Sequence, residues 1–183
     1  MINRRTLLFT GVGIASVAAG LGYGIWEAHQ AKPGPRNADA APDSAGADNV
    51  AATLWNLSFE QPDGKTLAMS SLAGRPLLVN FWATWCPPCI EELPLIDAFY
   101  QQNKANGWQT LGLAVDQTPS VQRFLAQKPL SFPVAMAGMA GIELTRQMGN
   151  VTGALPFSVL YNAQGVLVQR KLGQLSEADL KAW

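Results

Sequence analysis

Cys86 and Cys89 stand three positions apart in Trp85-Cys86-Pro87-Pro88-Cys89, and they are the only cysteines of the 183-residue chain. This spacing brings two sulfurs close enough for one disulfide, so the pair can hold or release two electrons. Leu77 to Phe81 precede the motif as a short run, apolar but for Asn80, the pattern of a strand covered on both faces. After it comes IEELPLIDAFYQQNKANG, in which Ile90, Leu93, Ile96, Ala98 and Phe99 approximate helical periodicity and Gly107 suits the helix end. Cys86 is therefore expected at a helix N-terminus, where partial positive charge and free N–H groups stabilise a thiolate. That makes Cys86 the expected nucleophile and Cys89, a turn into the helix, the resolving thiol. Pro87 and Pro88 are tolerated in a first turn whose N–H groups have no intrahelical acceptor. They also remove donors that could have faced Cys86.

Three other readings of the cysteines compete at this point. A structural zinc site needs two more ligands, and the only histidine, His29, lies far upstream. Peroxiredoxin chemistry wants T-x-x-C, whereas Thr84 is only two residues before Cys86. A permanent structural disulfide across so small a loop stabilises little in the chain-entropy model.

The composition narrows the function classes. With 13 basic and 13 acidic side chains the formal charge is zero, so no bulk field gathers phosphates and nucleic-acid binding is not expected. Two cysteines cannot make a disulfide scaffold, and one histidine leaves little for a metal site, so none is expected.

The elements that must position the cysteines read as follows. Residues 53 to 69 alternate in polarity around Pro62-Asp63-Gly64, a hairpin signal. Trp108 to Val115 reads as a strand, 119 to 128 as a helix, Phe132 to Met136 as a short strand and Ile142 to Met148 as a short helix. Pro156 opens the strand FSVLYN, whose hairpin partner is VLVQRKLG. Ser176 caps a short last helix with Glu177 and Asp179 in its first turn. Pro94 should kink the helix that follows Cys89. The order is that of an α/β domain with a mixed sheet and helices on both faces.

The N-terminus differs in kind. Arg4 and Arg5 precede an uncharged apolar run, residues 6–26, long enough to span a bilayer with the N-terminus on the cytoplasmic side. Residues 27–49 are rich in Ala, Pro, Gly and Asp and read as a flexible tether. The expected organisation is an anchor at 1–26, the tether at 27–49 and one domain at 50–183, held extracytoplasmically at an inner membrane, where a dithiol can cycle. Ala38-Asp39-Ala40 is a cleavage-like pattern, but it lies far beyond the apolar run.

The stretch from Asn80 to Pro94, N-F-W-A-T-W-C-P-P-C-I-E-E-L-P, together with LGLAVDQTP and ALPFSVLYNAQG, resembles the TlpA-like and ResA-like membrane-tethered thioredoxin family of thiol-disulfide oxidoreductases. The likeness spans the globular part. It implies a thioredoxin-like fold with an added N-terminal β-hairpin. It also implies that Leu155-Pro156 is the family's cis-proline, brought beside the cysteines although Pro156 lies 67 residues beyond Cys89. The Leu155 backbone would then pair with an extended substrate. Glu92 matches a buried acid that exchanges a proton with the cysteine pair, and burial would raise its pKa. Thioredoxins proper carry an aspartate where this chain has Asn80. Trp85 is expected, with Pro87, Pro88, Leu155 and Pro156, on the apolar rim that receives substrate, while Trp82, Trp55 and Trp108 are expected in the core. Phe157 stands where cytochrome c maturation members carry glutamate, so the resemblance is to the wider family.

The function implied is reduction of disulfides in exported proteins through attack by Cys86 and resolution by Cys89. No cofactor beyond this dithiol/disulfide is expected, and a membrane thiol-disulfide donor would re-reduce it. The reverse direction, oxidase or isomerase, is the alternative within the class. A non-catalytic binding or copper-handling module is the alternative outside it.

Overall fold

The hairpin around Pro62-Asp63-Gly64 forms between β1 (Ser58–Glu60) and β2 (Thr66–Ala68) in a computed structural model of the chain, which describes residues 53–183. Gly64 closes the turn at φ 84°, a left-handed conformation that glycine adopts without a Cβ clash. The expected anchor, the tether and the first residues of the expected domain lie outside the described residues. Among the described residues no helix is long and apolar enough to cross a membrane.

Two fully buried strands build the centre. β3 (Leu77–Trp82) and β4 (Gln109–Ala114) are buried at every position and pair in parallel, Leu77 opposite Gln109 and Trp82 opposite Ala114. β5 (Val134–Met136) extends the parallel set beyond β4. On the other side β6 (Phe157–Tyr161) runs antiparallel to β3, and β7 (Leu167–Leu172) antiparallel to β6. The hairpin joins through Glu60 opposite Met136, giving the order β2-β1-β5-β4-β3-β6-β7.

Because side chains alternate along a strand, the central strands feed two cores. Leu77, Val79 and Phe81 pack with Leu111, Leu113, Val159 and Tyr161, and Ile142 and Leu144 of α3 (Gly141–Gln147) cover that face. Leu78 and Trp82 point the other way, to Leu93 and Ile96 of α1 (Pro87–Asn103), Val121 of α2 (Thr118–Gln127) and Leu180 of α4 (Glu177–Ala182). Asn80 lies between Leu78 and Trp82 in the strand and so faces α1. In register with it on β4 is Gly112, where a Cβ would come within 3.0 Å of Trp82 Nε1 and 3.1 Å of Phe132.

α1 runs from Pro87 to Asn103 with Pro94, exposed, inside it. Two expectations need adjustment, those for Trp55 and Trp108. Trp82 is fully buried as expected, but Trp55 and Trp108 are only half-buried. Trp55 uses its indole N–H on the Gly165 carbonyl at 2.9 Å and its ring edge on Tyr161. Trp108 lies edge-on to Phe99 and lines a 590 Å³ groove with Leu95, Leu180 and Trp183. None of the expected site residues lines that groove.

Candidate active site

The site grows out of the end of β3. Leaving the sheet after Trp82, the chain turns through Ala83-Thr84-Trp85 and enters α1 at Cys86, whose carbonyl accepts from the N–H groups of Cys89 at 3.1 Å and Ile90 at 3.2 Å. Pro87 and Pro88 occupy the first two helical positions, where no ladder bond is lost. Cys86 and Cys89 form a disulfide, with an S–S distance of 2.09 Å and Cα atoms 5.3 Å apart. Both are buried, Cys86 at 5% exposure and Cys89 at 0%, whereas Trp85 is 59% exposed beside them. Pro87 is exposed and Pro88 half-buried.

The Leu155–Pro156 peptide is cis, and Leu155 packs against the apolar cluster that contains both cysteines. The Pro156 carbonyl is occupied by the Gly173 N–H at 2.9 Å. Among the described residues no backbone hydrogen bond engages Leu155. The tertiary structure thus gathers Trp85, Cys86, Cys89 and Leu155 at one end of the sheet from segments some seventy residues apart.

Glu92, one helical turn beyond Cys89, points into the molecule and is 2% exposed. Its Oε2 accepts from the Leu175 N–H at 2.7 Å and its Oε1 from Asn80 Nδ2 at 2.8 Å. Burial pushes its pKa up to about 7, and these two donors oppose the rise. Asn80 Nδ2 also reaches Ser158 Oγ at 2.9 Å, its registered partner on β6. Adjacent Glu91 is exposed and takes a bond from Gln174 Nε2, which also binds the Pro88 carbonyl. The segment between β7 and α4 therefore grips the first turns of α1 at two points.

Asp116, just beyond β4, is a positioning residue that the sequence reading missed. Its Oδ2 accepts from the Thr84 N–H at 2.8 Å and the Thr84 hydroxyl at 2.6 Å, and its Oδ1 from the Gln117 N–H. One carboxylate thus staples the loop that delivers Cys86. Its signal was local: an acid directly after an apolar strand, before the next helix begins. Ser158 and Gln174 left no comparable signal, because each matters only through a partner more than 75 positions away.

The family model described as Redoxin matches residues 36–182 of the chain. Thiol-disulfide oxidoreductase ResA of Bacillus cereus is 32% identical over 123 residues, covering 66% of this chain and 68% of the relative. ResA of Bacillus subtilis (strain 168) is 28% identical over 179 residues, covering 96% of this chain and 89% of the relative. The crystal structure of a thioredoxin-family thiol:disulfide interchange protein from Chlorobium tepidum superposes with a TM-score of 0.61 at 31% identity, covering 69% of this chain and 88% of that one. The mixed sheet with its added hairpin is a thioredoxin-like fold.

Proposed function

This chain belongs to the redoxin family as a ResA-like thiol-disulfide oxidoreductase, and we propose that it acts as a reductase of disulfides in exported proteins. The observation that carries the direction is the environment of the pair. Cys86 and Cys89 are buried, two prolines remove N–H donors from the first turn of α1, and Glu92 sits one turn beyond Cys89. Burial raises a thiol's pKa, and a nearby carboxylate disfavours a second negative charge. Each effect weakens the reduced, thiolate form and favours the disulfide, which is the property of an electron donor.

In the forward reaction the Cys86 thiolate attacks one sulfur of the substrate disulfide, forming a mixed disulfide and releasing the other substrate sulfur as a thiolate that takes up a proton. Glu92 as carboxylate takes the proton of Cys89. The Cys89 thiolate attacks Cys86 Sγ, the mixed disulfide breaks, and the second substrate sulfur leaves and is protonated. Two electrons pass to substrate, and the Cys86–Cys89 disulfide results. Leu155 and the apolar rim of Trp85, Pro87 and Pro88 hold the substrate chain by backbone pairing and contact, while Pro156, expected on that rim, is buried next to Leu155. A membrane thiol-disulfide donor restores the dithiol. Residues 6–26 anchor the chain in the inner membrane with the domain outside the cytoplasm, a reading supported by the length and charge pattern of that run.

Trapping tests the reading. Cys89→Ser is expected to accumulate a substrate as a mixed disulfide on Cys86, and Cys86→Ser to abolish insulin reduction. The reduction potential is expected below about −200 mV, toward the thioredoxin end of the range. Insulin reduction surviving in both variants sinks the mechanism. A potential near −120 mV, as in strong oxidants, reverses the direction.

A further inference from the structure

The two oxygens of Glu92 face different kinds of donor. Oε2 accepts from the Leu175 N–H, and a backbone N–H can only donate, so that oxygen stays an acceptor whatever the charge of the carboxyl. Oε1 is the oxygen whose partner can exchange donor for acceptor, and it is where we place a proton arriving on Glu92. There it meets a second donor, the Asn80 NH₂ group at 2.8 Å. The acid form needs an acceptor in the place where that donor now stands.

Asn80 carries such an acceptor on its other branch. Its Oδ1 is buried and has no hydrogen-bond partner, while Nδ2 makes two bonds, to Glu92 and Ser158. The two branches of a side-chain amide are nearly equal in size, so a half-turn exchanges them without displacing neighbours. Ser158 suits both arrangements, since a hydroxyl accepts from Nδ2 in one and donates to Oδ1 in the other. An ionised aspartate at position 80 offers acceptors only and could not alternate in this way.

We propose that Asn80 is a positioning residue that turns over with the protonation state of Glu92, presenting Nδ2 to the carboxylate and Oδ1 to the carboxylic acid, while the Ser158 hydroxyl reverses its direction to follow. The proton on Oε1 is the one exchanged with Cys89, and the amide transfers none of its own. The inference rests on the reading of Glu92 as the proton-exchanging acid of the pair. Among the described residues no charged side chain acts on the carboxyl from the elements packed on it: β3 presents Asn80, β6 Ser158 and the segment before α4 Leu175. On β7, Lys171 is in register with Ser158, but its ammonium is bound to Asp179 of α4 at 3.1 Å. On α1 the titratable neighbours are exposed Glu91 and the two cysteines.

Carboxyl and side-chain amide NMR of the isotope-labelled full chain in detergent tests this, run from about pH 4 to pH 9 in the disulfide form so that the cysteines do not titrate. The Asn80 NH₂ protons are expected to shift upfield with the same midpoint as the Glu92 carboxyl carbon, because they exchange two hydrogen bonds for none. Their NOEs to Ser158 should weaken in step, and Ser158→Thr, which keeps a hydroxyl, should preserve the coupled movement. If Glu92 titrates while the Asn80 resonances and NOEs stay fixed, the turnover is overturned and the role of Glu92 stands. If Glu92 does not titrate in this range, both fall.

Discussion

Glu92 links folding to pH at the scale of a single residue. Its pKa rises from 4.5 to about 7 on burial, so the folded state binds this proton more tightly than the unfolded chain. The resulting stabilisation is fully present below about pH 4.5 and is lost as pH rises through about 7. At 1.36 kcal/mol per pH unit the whole effect is about 3 kcal/mol. Glu92→Gln removes the ionisation while keeping an amide that can bond Leu175 and Asn80. Urea denaturation of the disulfide form is expected to show the variant gaining on the parent between pH 4.5 and pH 8 by up to about 3 kcal/mol. Parallel pH profiles for the two proteins would show that Glu92 has the same pKa in the folded and the unfolded chain. Position 92 could be picked out in the sequence only through the resemblance, since Glu91 and Glu92 are the same residue type one step apart on a helix. A rotation of about 100° along that helix puts one in solvent beside Gln174 and the other against Asn80.

At the scale of elements, the chemistry depends on how β4 and the segment before α4 brace the start of α1. Asp116 satisfies two donors of Thr84, and hydrogen bonds to a charged group contribute about 1.5–3 kcal/mol each. Asp116→Ala is expected to cost about 3 kcal/mol or more in denaturant unfolding and to remove the hydrogen-exchange protection of the Thr84 amide. Retained protection would mean that the Cys86 loop is held by other contacts. Thr84→Val keeps the backbone bond and should cost less. α4 is braced in turn by its capping box, in which Ser176 Oγ accepts from the Asp179 N–H and the Asp179 carboxylate accepts from the Ser176 N–H. Bonds from Ser176 and from Lys171 hold the Asp179 pKa down to about 2. Ser176→Ala is expected to cost about 1 kcal/mol and, by loosening adjacent Leu175, to raise the Glu92 midpoint measured by carboxyl NMR. An unmoved midpoint would separate the cap from the site. The strands, helices and this cap were legible in the sequence because hydrophobic period, turn residues and capping residues are local signals.

For the whole molecule, two cores on opposite faces of one seven-stranded sheet account for residues 53–183. The proposed anchor therefore carries a domain with its own interior. Residues 50–183 expressed alone are expected to remain in the supernatant and to reduce insulin, while the full chain sediments with membranes. A full chain found in the supernatant would remove the anchor from the proposal. The paired cysteines, their place between an apolar strand and a helix, the hairpin and the α/β order were set by residue type and short-range spacing, which the sequence carries by itself. What only the tertiary structure decided is long-range. It set the burial of Cys86 and Cys89, the approach of Leu155 to them, the staple from Asp116 and the hydrogen bonds that join Glu92, Asn80 and Ser158. Each is a contact between segments distant in the chain, whose geometry follows from strand register and helix rotation rather than from any local pattern.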